Sequence, residues 1–171
     1  MEKKNVTISC KPYLRTYLTN LYGNPVDLVE DRPAYNYLIR LLTRKVHRNK
    51  KRTRSKGYGN KVYKSSVEIL LRPQDLLFGN PQLTSPAMIE FNLFMESQLK
   101  MISRSFIATC EMHGMEQSTA IKDFQETFGF SNDDFSYDAI KLDILRNGQD
   151  CPIRRLQHKK RPSQKPKIEL F

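Results

Sequence analysis

The sequence predicts an α+β fold that is mainly α: a short two-stranded β element, two N-terminal helices, and a C-terminal three-helix unit with one long helix. Two short stretches alternate apolar and polar residues, around Val6–Cys10 and Val67–Leu71, the period of a half-buried strand. Longer stretches repeat apolar residues at three- and four-residue spacing, the period of one helix face. Gly and Pro fall between these stretches, where breaks are expected.

Val6-Thr7-Ile8-Ser9 reads as the first strand. Pro12 suits the first turn of a helix, and Tyr13, Leu14, Tyr17, Leu18 and Leu21 share one face, with Gly23 as the stop. Asn24-Pro25 and Asp31-Arg32-Pro33 bracket a connecting loop. Asp31 is a suitable N-cap for a second helix over Pro33–Lys45, whose apolar face is Ala34, Tyr37, Leu38, Leu41 and Leu42. From Lys61 the chain alternates again, with Val67, Ile69 and Leu71 on one side and Glu68 and Arg72 on the other. Its expected partner is Val6–Cys10, because a lone strand leaves its backbone groups unpaired.

Ser85-Pro86 then starts the long helix as N-cap and N1, and Gly114 ends it after His113. Ile89, Leu93, Met95, Leu99, Ile102, Phe106, Ile107 and Cys110 form the expected buried stripe. At 1.5 Å per residue this helix spans about 42 Å. Ser118–Phe128, stopped by Gly129, and Ser136–Asn147, stopped by Gly148, complete the unit. Ser131-Asn132-Asp133-Asp134 has the form of a capping box. The resulting division is a strand and two helices over 1–46, a basic mobile loop over 47–61, a strand and helical unit over 62–151 that forms one compact domain with 1–46, and a basic Pro/Lys-rich tail over 152–171.

Charge is the strongest signal in the sequence. The 171 residues hold 29 Lys+Arg and 18 Asp+Glu, a net charge of +11. Residues 40–64 alone contribute 11 basic and no acidic residues, and so account for the whole excess. Residues 65–153 are net −7, and residues 154–167 carry seven basic and no acidic residues. A solvated surface mixes both signs, because like charges repel. So one-sided a run points to a polyanion contact. No amphipathic helix accompanies it, which disfavours a membrane surface. The expected partner is nucleic acid, DNA ahead of RNA. The expected contacts are Arg44, Lys45, Arg48, Lys50, Lys51, Arg52, Arg54, Lys56, Tyr58 and Lys61 in the loop, and Arg154, Arg155, Lys159, Lys160 and Arg161 in the tail. The cations neutralise phosphates and release counterions. Tyr58, like Tyr63, can stack on a base or bond a phosphate.

Other classes are weakly supported. Seven Gly and nine Pro exclude a collagen-like chain, and three Cys exclude a disulfide scaffold and fit a reducing compartment. There is no apolar run of membrane-spanning length, and Met1–Asn5 leads into a strand pattern rather than an apolar signal core. A soluble, cytoplasmic protein without cofactor is expected. Cys110 and His113 form a C-x-x-H that could face one way on a helix, but Cys151 and His158 are a looser second pair, and structural zinc usually takes two tight pairs, so no metal is expected. Asp133 and Asp134 sit at a helix start, where negative charge is stabilised by the helix dipole, and Asp138 and Asp143, five apart, do not share a face well, so the four do not converge on a two-metal site. No nucleophile elbow or phosphate-binding loop is present, so no catalytic residue is assigned.

Two alternatives give nucleic acid a reading element. The last two helices have the outline of a helix-turn-helix, with Gly129 at the turn and Phe124, Phe128, Ile140 and Ile144 as the seam. Against this, the last helix offers only Lys141 and Arg146 beside Asp138 and Asp143. The first strand and two helices have the order of a ribbon-helix-helix, with Thr7, Ser9 and Lys11 facing a groove, though Val67–Leu71 competes for that strand. The broad apolar circumference of the long helix, where Met88, Phe91, Phe94 and Met101 widen the stripe, suggests a homodimer or protein partner through residues 86–113.

Lys11-Pro12-Tyr13-Leu14-Arg15 with Tyr17-Leu18, and Ala120–Gln125, Phe128-Gly129-Phe130 and Ser136–Lys141, resemble stretches of small basic proteins of phages and mobile elements in Bacteroides-type bacteria. Those proteins are mostly uncharacterised and are thought to bind DNA. The resemblance implies a DNA-binding role, such as regulation of a mobile element, and carries over no functional residue. The runner-up is a protein–protein adaptor, or a component of a larger ribonucleoprotein or phage assembly, whose acidic helical half is the docking surface.

Overall fold

A computed structural model describes residues 4–43, 63–78, 83–148, 151 and 153. The fold is α+β and mainly helical. In chain order the elements are β1 (Lys4–Cys10), α1 (Pro12–Tyr22), α2 (Arg32–Thr43), β2 (Ser65–Leu71), a 3-10 helix (Pro73–Phe78), α3 (Ser85–Met112), α4 (Gln117–Phe128) and α5 (Tyr137–Asn147). The strands pair antiparallel, with Val6 opposite Ile69 and Ile8 opposite Val67. Val6, Ile8, Cys10, Val67, Ile69 and Leu71 are buried. On the other face the Asn5 amide donates to Glu68 at 3.2 Å.

The expected connecting loop after α1 does more than connect. Val26 bridges to Ile69, its N–H donating to Glu68 O at 2.8 Å and its carbonyl accepting from Leu70 N–H at 2.9 Å. Val26 and Leu28 are fully buried. The outer edge of β2 is thereby covered, which an isolated hairpin lacks. Asp31 caps α2 as expected, its Oδ1 accepting from Ala34 N–H at 3.1 Å, while Oδ2 accepts from the Tyr22 hydroxyl at 2.6 Å. The buried face of α2 is Ala34, Tyr35, Leu38 and Leu41, so Tyr35 takes the interior place expected of Tyr37.

The expected stripe on α3 needs a larger correction. Its interior line is Ala87, Phe91, Met95, Leu99, Ser103 and Ile107, with Asn92 and Ala108 beside it. Leu93 is 58% exposed, and Ile89, Ile102, Phe106 and Cys110 are only partly buried. A row of residues four apart forms one ridge, and two residues of that ridge, Ala87 and Ser103, are small rather than apolar and bulky. An apolar residue count alone misses such a ridge. The N-cap is Thr84, which accepts from Ala87 N–H, and not Ser85.

Asn92 is 2% exposed, and its amide donates to Ser9 O and Met88 O, both at 2.9 Å. Lys11 reaches Glu96 at 2.8 Å. Together they seat the β1–α1 corner on α3. Farther along, an aromatic cluster joins α1, α3, α4 and the α4–α5 connection. Phe124 is its centre, with Phe106, Phe128 and Phe130 at centroid distances of 5.6, 4.7 and 5.9 Å. Tyr17 meets Phe128, and Phe135 meets both Phe130 and Tyr13. Gly129 ends α4 at φ +66°, and a Cβ there would stand 2.6 Å from the Asn20 amide that donates to Phe128 O. Only glycine satisfies both demands. Ser131–Asp134 closes a turn, with the Asp134 N–H donating to Ser131 Oγ at 3.2 Å. The cap of α5 is Ser136, which accepts from Ala139 N–H at 3.3 Å.

Truncation distinguishes the two registers of α3. Phe91→Ala, at a buried position outside the expected stripe, is expected to cost about 3–5 kcal/mol. Leu93→Ala is expected to stay within about 0.5 kcal/mol. Urea unfolding midpoints of the two variants check this, and a large loss at Leu93 would restore the register expected from the sequence.

Candidate nucleic-acid interface

All fifteen candidate contact residues, from Arg44 to Lys61 and from Arg154 to Arg161, lie outside the described residues. What is described is the body that carries those two segments. It holds 12 Lys+Arg and 15 Asp+Glu, so it is net negative while the whole chain is +11. The positive excess therefore belongs to residues outside the described body.

Several of the body's cations are already engaged. Lys11 and Lys100 both meet Glu96, at 2.8 and 2.9 Å. Arg104 faces Asp143 at 3.7 Å, and Arg72 faces Asp75 at 3.6 Å. Lys141 lies over the Tyr137 ring. Burial opposes ionisation of Glu96, but hydrogen bonds from Lys11 and Lys100 and their charges outweigh it, holding the carboxyl below its ordinary range. Burial, with the Glu96 charge nearby, pushes the Tyr13 phenol far up, so it stays protonated.

The 44–62 segment leaves from the end of α2 and returns just before β2, and both supports are fixed from within. The buried Tyr35 on α2 donates its hydroxyl to Asp75 at 2.6 Å and accepts from Arg72 N–H at 2.9 Å. The Arg72 guanidinium covers the Tyr35 ring at 4.4 Å. This cluster ties α2 to the residues directly after β2. At the outgoing end, Arg40 lies over the Tyr37 ring at 5.0 Å, and Tyr37 stacks on Phe94 of α3 at 4.4 Å. Arg40 and Lys64, the outermost cations of the 40–64 run, are both exposed on the described body. They were absent from the candidate contacts, although the i,i+3 spacing of Tyr37 and Arg40 on one helix was a usable signal. The tail leaves beside α3, where Cys151 is buried with its thiol donating to Arg104 O at 3.7 Å.

Two of the four carboxylates that spacing offered to hydrolysis have structural partners. Asp134 accepts from Thr16 at 3.4 Å, and Asp143 accepts from Asn147 at 3.0 Å. Among the described residues no group of three His, Cys, Asp or Glu is placed to hold a metal, and no helix is long and apolar enough to cross a membrane. In the helix-turn-helix alternative, Phe124, Ile140 and Ile144 are buried as its seam requires. The connection from Gly129 to Ser136, however, contains buried Phe130 and Phe135 and is much longer than a tight helix-turn-helix turn. In the ribbon alternative, β1 is already paired with β2 of its own chain, and Lys11 is held by Glu96. No protein-family model, curated protein or solved structure matches this chain.

The lowered Glu96 pKa sets a pH dependence. A depressed carboxyl contributes stability above its unfolded value, ordinarily 4.5, and loses it as pH falls through the folded value. Wild type is therefore expected to exceed Glu96→Gln in melting temperature at pH 7, with the gap closing below about pH 4.5. A gap independent of pH would show that packing, not the two lysines, holds this corner.

Proposed function

We propose that the protein binds nucleic acid, with DNA the preferred ligand, and does so without catalysis. The carrying observation is the segregation of charge: a net-negative folded body flanked by 44–62 and 154–167, which hold nine and seven basic residues and no acidic one. Phosphate recognition is supported by the number and proximity of those cations, since each contact releases counterions. The body's role in this reading is positional. Exposed Arg40 and Lys64 continue the basic surface at the two ends of the first segment. The resemblance to phage and mobile-element proteins supports DNA over RNA and a regulatory or packaging role.

Exposed apolar residues favour a second reading, a protein-docking adaptor. Leu142 and the 82% exposed Leu145 share the outer face of α5 with Lys141 and Arg146. A helix face of this kind suits a protein partner better than a phosphate backbone.

Neutralising Arg48, Lys50, Lys51, Arg52 and Arg54 together is expected to leave the melting temperature unchanged and to weaken duplex binding strongly. If all five contact phosphate, the log–log salt slope falls by about 4–5. Titrations against duplex DNA, single-stranded DNA and RNA at several salt concentrations measure this, and unchanged affinity at every salt would leave a solubilising segment. Lys141→Ala and Arg146→Ala are expected to change specific and non-specific binding little. A selective loss of sequence preference would make α5 the reading helix.

A further inference from the structure

The outer side of α3 carries an unfilled apolar groove. Met101, Ile102, Ser105, Phe106, Thr109 and Cys110 line it, enclosing about 510 Å³. None of the six is charged, in a protein whose residues are 27% charged. Phe91 is buried and Phe94 partly buried within this one chain, so those two residues do not call for a second copy. The groove still calls for an occupant.

We propose that the occupant is the segment Ile168-Glu169-Leu170-Phe171 of the same chain. The place where the body ends supports this. Cys151, the last buried residue among those described, sits beside the groove, its sulfur 4.0 Å from Ser105 Oγ and its thiol donating to Arg104 O. Fourteen residues lie between Ile153 and Ile168, and the fifteen steps from one to the other reach up to about 50 Å. The stretch of α3 from Met101 to Cys110 is about 14 Å long, so reach does not limit docking. Residues 154–167 hold seven cations that an uncharged groove would desolvate at a loss. Ile168, Leu170 and Phe171 are the apolar residues that follow them. A two-fold pair of chains would use the same face of both copies, and the test below distinguishes it. Docking closes 154–167 into a loop held to the body at both ends. The inference stands independently of what that loop binds.

The chain contains its own reporter. Cys110 lines the groove, whereas Cys10 and Cys151 are buried, and burial raises the Cys10 thiol to about 11. Alkylation by N-ethylmaleimide, followed at each cysteine by mass spectrometry, is compared between the full chain and a Leu170→Asp/Phe171→Asp variant. Both substitutions lie outside the described residues, and unchanged slow reaction at Cys10, which is buried and does not line the groove, reports an intact fold. With the tail at an effective concentration near millimolar, Cys110 is expected to react about five- to tenfold faster in the variant. A peptide of residues 164–171 added to the variant is expected to restore protection. Equal Cys110 rates in the two proteins overturn the proposal. So does protection that fades on dilution together with a two-chain mass by light scattering, which would assign the groove to a second copy.

Discussion

The fold depends on one helix face. The ridge Ala87–Phe91–Met95–Leu99–Ser103–Ile107 on α3 meets α1, α2, α4, α5 and β1. Residues four apart lie almost above one another on a helix, so a single straight ridge can serve as the common wall for elements before and after it in sequence. Small residues within it, Ala87 and Ser103, let neighbours approach where a larger side chain would hold them off. Asn92 supplies the polar half of the same contact. Its buried amide donates to the Ser9 carbonyl near the end of β1.

This core has an electrostatic consequence. The β1–α1 corner and the α3–α5 contact are closed by Lys11, Lys100 and Arg104, each held by a carboxylate of the body. Cations committed in this way are poor phosphate ligands, because binding would leave Glu96 or Asp143 unpaired in a partly buried place. Arg40, by contrast, is exposed at the end of α2 and rests on the Tyr37–Phe94 stack. A planar guanidinium resting on an aromatic ring is already ordered, so less conformational freedom is lost when it meets a ligand.

The two basic segments differ in how the body holds them. The first is bounded by α2 and β2, which the Tyr35–Asp75–Arg72 cluster ties together. The second leaves beside the buried Cys151 on the flank of α3. Among the described residues the first is anchored at both ends and the second at one.

Local rules determined much of this protein from its sequence alone. Period-two and helical patterns placed both strands, their pairing and five helices. Capping chemistry identified Asp31 and the stop at Gly129, and charge counting separated a basic loop and tail from an acidic body. These properties depend on neighbours in sequence or on composition, so they are legible without coordinates. Which side of α3 faces inward was not legible. Its apolar residues occupy most of the circumference, and the choice of Phe91 over Leu93 was decided by the shape of the elements packed against it. The burial of Tyr35 depended in the same way on Asp75 and Arg72, distant in sequence, to satisfy its hydroxyl. The third line of β pairing through Val26 came from a segment with no periodic pattern. Tertiary structure decided these because each is a contact between distant parts of the chain, and sequence periodicity records only which residues are apolar, not which partner reaches them first.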